Sequence, residues 1–208
     1  MNIFICGQKS FGKAVLKRLY EDGHNITGVA PPPQQRLKDK MVGYAMIKGI
    51  PIVSDCDKLT ASDVPNETEL IVSAHSHWII SQKILDGCKY GGIGYHPSLL
   101  PVHRGQDAVR WAVHCGDKVT GGTVYRLSDK CDGGDVLLQK VQFIDPSWDY
   151  HKLWSELFPC GVEMLSDAVR LIENGAAVYT EQDERFATWE PSWERPRLKR
   201  NDLIMLEP

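Results

Sequence analysis

The chain has 208 residues and a formal net charge of -3, from 24 Lys and Arg against 27 Asp and Glu, so it lacks the clustered basic character of a nucleic-acid binder. That length suits one large domain, or a main domain with a small appendage, and is enough to bury a core of its own. Its six cysteines are scattered without a C-x-x-C pair, no run nears the roughly 18 apolar residues of a membrane span, and residues 1–7 carry no basic leader, so the expectation is a reduced, soluble, cytoplasmic protein.

In chain order, residues 3–6 form a short apolar run ended by Gly7, the pattern of a buried parallel strand. Residues 11–20 place apolar side chains at 11, 15, 16 and 19, a helical face closed by Gly23. Residues 26–30 read as a second strand, completing a βαβ opening. The pattern then predicts a helix over 38–48, a short strand over 50–53, a buried strand over 70–74, a helix over 81–88 and a strand over 92–96. A helix over 106–114 follows. The second half changes character: residues 119–127 and 136–143 alternate as antiparallel strands do, around an acidic loop. Residues 150–173 are helical by periodicity, with Pro159 expected to break or kink them. The resulting fold class is α/β, a Rossmann-like, mostly parallel twisted sheet flanked by helices, with an antiparallel hairpin carrying the acidic loop. Residues 1–180 are read as the main domain and 181–208 as an extension lying on it, rich in Trp189 and Trp193 and ending in a basic cluster with a mobile tip.

Four features carry candidate chemistry. Gly7 and Gly12 bracket the first strand–helix turn, but the spacing fits neither a dinucleotide fingerprint nor a phosphate loop, so a tight turn bordering a cleft is preferred. His75 and His77 could ligate a metal only with a further ligand, and are read instead as cleft lining. His96 closes a strand and precedes Pro97, which holds the backbone extended, and its imidazole can donate to an oxyanion or relay a proton. Asp132 lies on the glycine-rich loop 129–135, where backbone can approach a ligand closely. From the residues alone, a structural role for either is as good a reading as a catalytic one.

The stretch His96-Pro97-Ser98-Leu99-Leu100-Pro101 with His103-Arg104-Gly105, followed by Asp132-Gly133-Gly134-Asp135, resembles the folate-dependent formyltransferases. The similarity runs from about residue 1 to about 180. It is strongest toward the hydrolase domain of 10-formyltetrahydrofolate dehydrogenase, which Tyr95, 116–118, 121–122, 137–140 and 158–159 also resemble. The sugar N-formyltransferases are a second likeness.

The resemblance implies that His96 and Asp132 are catalytic and that 10-formyltetrahydrofolate is the formyl donor, with no metal. The family's transferases carry an asparagine two residues before the histidine, at the oxyanion. Here that position is Gly94, and the hydrolase domain also lacks the asparagine, which keeps water as well as an amine in play. Losing one such donor commonly costs about 2.7–4 kcal/mol of barrier. The implied pterin pocket comprises Trp78, Ile80 and Leu85 with Ser128, Asp129 and Cys131. The implied acceptor side comprises Gln8, Lys9, Ser10 and Arg104. The leading expectation is formyl transfer to a small-molecule amine such as a nucleotide-linked amino sugar. Hydrolysis to formate and an inactive folate- or nucleotide-binding module stand as alternatives. No nucleic-acid or membrane partner is expected, and a homodimer is left open.

Overall fold

The computed structural model describes residues 1–33, 38–53, 58–76 and 78–193. His77, Cys56 and the basic cluster of the tail therefore lie outside the described residues.

Among the described residues six strands form one sheet: β1 (Asn2–Gly7), β2 (Asn25–Ala30), β3 (Leu70–Ala74), β4 (Gly92–His96), β6 (Val119–Arg126) and β7 (Val136–Phe143), in spatial order β2-β1-β3-β4-β6-β7. The first four run parallel; β6 pairs antiparallel with β4, and β7 antiparallel with β6. The mostly parallel Rossmann-like sheet is thus present, with the acidic loop between β6 and β7. Ile3, Phe4, Ile5 and Cys6 have no exposed surface, because helices cover both faces of β1. One face packs on α1 (Lys9–Glu21) and α5 (Tyr150–Glu173) through Phe11, Val15, Leu16, Leu165 and Ala168. The other holds Phe4, Ile71, Ile80 and Leu85, the last from α3 (Gln82–Asp86). Among the described residues, no helix is long and apolar enough to cross a membrane.

The Gly7 and Gly12 spacing has a packing cause. A Cβ on Gly7 would lie 2.7 Å from the Ala74 carbonyl oxygen, and one on Gly12 would lie 3.1 Å from the Met41 sulfur. Side chains there would drive α1 off the sheet. Met41 belongs to α2 (Lys40–Lys48), whose N-cap Asp39 accepts from its backbone N–H at 2.8 Å through Oδ1. Asp39 Oδ2 also accepts from the Lys9 N–H at 2.6 Å. One carboxylate thereby serves the N-termini of both α1 and α2, where it also complements their dipoles.

Two expectations are corrected. Residues 50–53 form no strand: Ile52 makes one isolated parallel bridge to Val29, because Pro51 has no N–H to extend the ladder. Pro159 does not end α5, which runs unbroken from Tyr150 to Glu173. An interior proline costs about 3 kcal/mol, whereas each fully buried aliphatic side chain contributes roughly 1.5–3 kcal/mol. Leu153, Leu157, Met164, Leu165, Val169 and Ile172 are all buried on this one helix, so packing prevails. Asp149 also caps its N-terminus, accepting from the Lys152 N–H at 2.8 Å.

His24, at the α1–β2 turn, is 8 % exposed, and its Nε2 is buried without a partner among the described residues. Burial pushes its pKa below the ordinary value, more than Glu173 and Asp22 raise it. The folded chain therefore holds this ring neutral while the unfolded chain takes up a proton below about pH 6.5. Stability should fall as pH drops through that value. His24→Gln should flatten the slope of melting temperature between about pH 7 and 5; an unchanged slope would remove His24 as its source.

Candidate active site

The carboxyl ends of β1, β3 and β4 open onto one edge of the sheet, where ligands bind in open α/β folds. Gln8 and Lys9 follow β1, His75 follows β3, and His96 closes β4. Lys9, His75, His103, Asp107 and Asp132 all adopt positive φ, between 49° and 61°. Such backbone in non-glycine residues costs on the order of 1–3 kcal/mol each and concentrates where geometry serves a ligand. His75 is solvent-exposed, yet closely surrounded; desolvation and then the Lys9 charge push its pKa down. Its ring meets Trp154 edge-on, with centroids 6.3 Å apart. Among the described residues no group of three or more His, Cys, Asp or Glu is arranged to hold a metal.

His96 is 6 % exposed, and its Nε2 lies 2.6 Å from the His103 carbonyl oxygen. A carbonyl only accepts, so Nε2 carries a proton. Nδ1 is then the nitrogen at which a proton can come and go, and it faces Asp132 Oδ2 at 3.7 Å. Asp132 is held by several donors. The Tyr125 hydroxyl donates to Oδ1 at 2.6 Å, and the Gly105 N–H donates to Oδ2 at 2.8 Å. The Cys131 thiol lies 3.6 Å from Oδ2. Burial and then the Asp132 charge push that thiol up to about 11, so it stays protonated near neutral pH. His96 and Asp132, from separate elements, thus share one site.

A second ring of contacts holds the segment that carries these partners. His103 is buried between two carboxylates, with Nδ1 3.0 Å from Glu190 Oε1 and Nε2 2.8 Å from Asp117 Oδ2. The short strand β5 (Arg104–Gly105) pairs in parallel with β8 (Trp189–Glu190). The Leu100–Pro101 bond that precedes this segment is cis. Trp111, in α4 (Ala108–His114), donates from its indole to the Pro191 carbonyl at 2.9 Å and packs against Trp193. Residues 181–193 are therefore bound to the sheet domain through both ends of this loop.

The resemblance had set Arg104 on the acceptor side, and the structure gives its guanidinium other work. The residue is 2 % exposed; Nε and Nη2 donate to the Gln182 amide oxygen, and Nη1 and Nη2 donate to Glu184. The Gln182 amide nitrogen donates to the Asp132 carbonyl at 2.8 Å and the Gly134 carbonyl at 2.7 Å. The pair braces the acidic loop from beneath. Gln8, Lys9 and Ser10 do border the edge of the sheet, with Ser10 accepting from Lys40 Nζ at 3.2 Å. Ile80 and Leu85 are buried in the wall below, while Trp78 and Leu127 are half-buried beside them. The Trp78 indole donates to the Pro31 carbonyl at 3.1 Å, which fixes its plane. Ser128 and Asp129 lie on the acidic loop, where Ser128 accepts from the Lys130 N–H. Gly94 is buried opposite Tyr125.

Sequence reasoning missed Tyr125, Gln182 and Glu190. Tyr125 had a signal: strand alternation puts it on the face of Thr123, which pairs with His96. Gln182 and Glu190 come from remote segment positions with no motif, and nothing local marks them.

A family model described as formyl transferase matches residues 1–169. The cytosolic 10-formyltetrahydrofolate dehydrogenase of Xenopus laevis is 34% identical over 212 residues, covering 97% of this chain and 24% of that protein. The chain thus spans about a quarter of the length of that relative. An N-formyltransferase structure from Helicobacter canadensis, in complex with folinic acid and dTDP-3-aminofucose, superposes with a TM-score of 0.75 at 15% identity, over 96% of this chain and 71% of that one. Glycinamide ribonucleotide transformylase 1 from Symbiobacterium toebii superposes at 0.72 with 20% identity, over 88% and 93%.

Proposed function

This chain belongs to the formyl transferase family, and on that premise we propose that it transfers the formyl group of 10-formyltetrahydrofolate to an amine of a small molecule, a nucleotide-linked amino sugar being the favoured class. The observation that carries the reading is the approach of His96 Nδ1 to Asp132 Oδ2, 3.7 Å apart at the open edge of the sheet. The apolar wall of Ile80 and Leu85, edged by Trp78 and Leu127, suits a flat heterocycle, and the loop at 128–132 offers backbone groups beside it. The Helicobacter enzyme's complex with folinic acid and an amino sugar nucleotide supports both the donor and the acceptor class.

The donor supplies an acyl carbon on an arylamine nitrogen, so the bond to break is already weakened. The acceptor nitrogen forms its bond to that carbon while negative charge gathers on the formyl oxygen. His96 Nδ1 takes the proton the acceptor sheds, directly or through one water, and returns it to the departing folate nitrogen. The products are the formamide and tetrahydrofolate. Asp132 faces the imidazolium formed in between. Opposite charges at this separation attract by roughly 4 kcal/mol at an effective dielectric of about 20. The Nε2–H bond to the His103 carbonyl fixes the ring so that Nδ1, rather than Nε2, exchanges the proton.

Hydrolysis is the second reading. It rests on Gly94, which supplies no side-chain donor to the formyl oxygen, and on the 34% identity to the frog dehydrogenase across nearly the whole chain. Water would then replace the amine, and formate would leave. The two readings separate when the full chain is mixed with 10-formyltetrahydrofolate and tetrahydrofolate release is followed with and without a panel of dTDP-amino sugars. Release that requires an amine supports transfer; equal release without one replaces it by hydrolysis. Folate binding with no release under any acceptor overturns both in favour of a binding module.

A further inference from the structure

We propose that Tyr125 is a positioning residue for Asp132, seated in the space that Gly94 leaves open across the β4–β6 ladder. The inference rests on the formyl-group reading above.

Gly94 and Tyr125 are registered partners in the antiparallel β4–β6 pair, two residues from the His96–Thr123 pair. Registered partners project to the same face, and so do residues two apart along a strand. Gly94, His96 and Tyr125 therefore share one face of the sheet. A Cβ at position 94 would lie 3.2 Å from Cε1 and Cζ of the Tyr125 ring and 3.0 Å from Leu127 Cδ2. Those spacings are tighter than ordinary packing, and any longer side chain would have to enter the volume the ring fills. A side chain at 94 and the tyrosine at 125 compete for the same space.

The seat gives the phenol its task. Its hydroxyl donates to Asp132 Oδ1 at 2.6 Å, while the Gly105 N–H holds Oδ2 at 2.8 Å. With each oxygen assigned a donor, the carboxylate cannot rotate, and Oδ2 is the oxygen presented to His96 Nδ1. Burial, reinforced by the Asp132 charge, raises the Tyr125 pKa well above its ordinary value, so the hydroxyl remains a donor over the working range of pH. Position 94 bears no polar group, and the same face supplies one from the neighbouring strand instead. Its action runs through the aspartate's orientation.

The test combines steady-state kinetics on 10-formyltetrahydrofolate with thermal unfolding, for Tyr125→Phe, Gly94→Asn, Tyr125→Ala and the double variant Gly94→Asn with Tyr125→Ala. A hydrogen bond to a charged group corresponds to about a 10- to 100-fold effect. Tyr125→Phe keeps the ring, so kcat should fall by about that factor with KM nearly unchanged, and the melting temperature should fall less than in Tyr125→Ala. Gly94→Asn alone should lower the melting temperature through crowding. Removing the ring in the double variant should recover much of that loss, a non-additive cycle. Wild-type kcat in Tyr125→Phe overturns the positioning role while leaving the formyl-group reading standing. Strictly additive melting shifts overturn the shared seat. A wild-type chain that never releases tetrahydrofolate removes the functional reading and the positioning role with it, and the unfolding cycle still decides the seat.

Discussion

His96→Ala should lower turnover of 10-formyltetrahydrofolate by about 10²- to 10⁴-fold, the usual contribution of a placed acid–base group, with the fold intact. The ring lies at the strand end, and among the described residues it is tied by the Nε2 bond to the His103 carbonyl. Its loss leaves that carbonyl beside a small cavity that water can enter, so unfolding should shift modestly. Asp132→Asn is the sharper companion. It keeps the size of the side chain: its one amide oxygen can accept from the Gly105 N–H while its NH2 donates to the Tyr125 hydroxyl, which then accepts, and it removes the charge facing the imidazolium. An attraction of roughly 4 kcal/mol at an effective dielectric of about 20 corresponds to about 10³ in rate if it is felt mainly in the transition state. Kinetics and circular dichroism on both variants check this. Wild-type rates in either would take that residue out of the reaction.

Gln182→Leu should destabilise the chain by about 3–5 kcal/mol, because Arg104 Nε and the two carbonyls that the amide serves each lose a hydrogen-bond partner, at about 1–3 kcal/mol apiece. The leucine would fill most of the volume, so packing is not the cause. What it removes is the oxygen that accepts from Arg104 Nε and Nη2 and the amide N–H groups that satisfy the Asp132 and Gly134 carbonyls. The guanidinium is 2 % exposed and cannot turn to water for replacements. Glu184→Gln is the control. That carboxylate touches the same guanidinium but is largely exposed, so its ion pair is screened by water and its loss should cost little. Chemical denaturation of both variants should rank them with a clear gap. Equal effects would mean that the buried amide is not what satisfies Arg104.

The parallel core was legible because a strand buried on both faces shows itself as an unbroken apolar run, as in residues 3–6 and 70–74, and a helix as a 3.6-residue stripe. Where reading failed, a tertiary term outweighed a local one. Pro159 is a helix breaker locally, yet the buried face of α5 carries it. Residues 50–53 look like a strand, yet Pro51 denies them a ladder. At the site, His96 and Asp132 stood out because each belongs to a recognisable stretch. Arg104 shows why a motif does not place a charge: an arginine there looks like a ligand hook, and whether its charge is engaged depends on residues some eighty positions away. Tyr125 was hidden by the opposite circumstance. The informative position, Gly94, has no side chain, and a vacancy in sequence does not say which neighbour fills it.

The pairing of β5 with β8 also sets a clock on biosynthesis. The backbone N–H that holds Asp132 Oδ2 belongs to Gly105, and Gly105 is registered against Glu190. A ribosome-bound chain that has already released the whole six-stranded sheet still lacks the strand that steadies this amide. Competence should therefore arrive only after the scaffold is complete, when residues 189–190 clear the exit tunnel and dock.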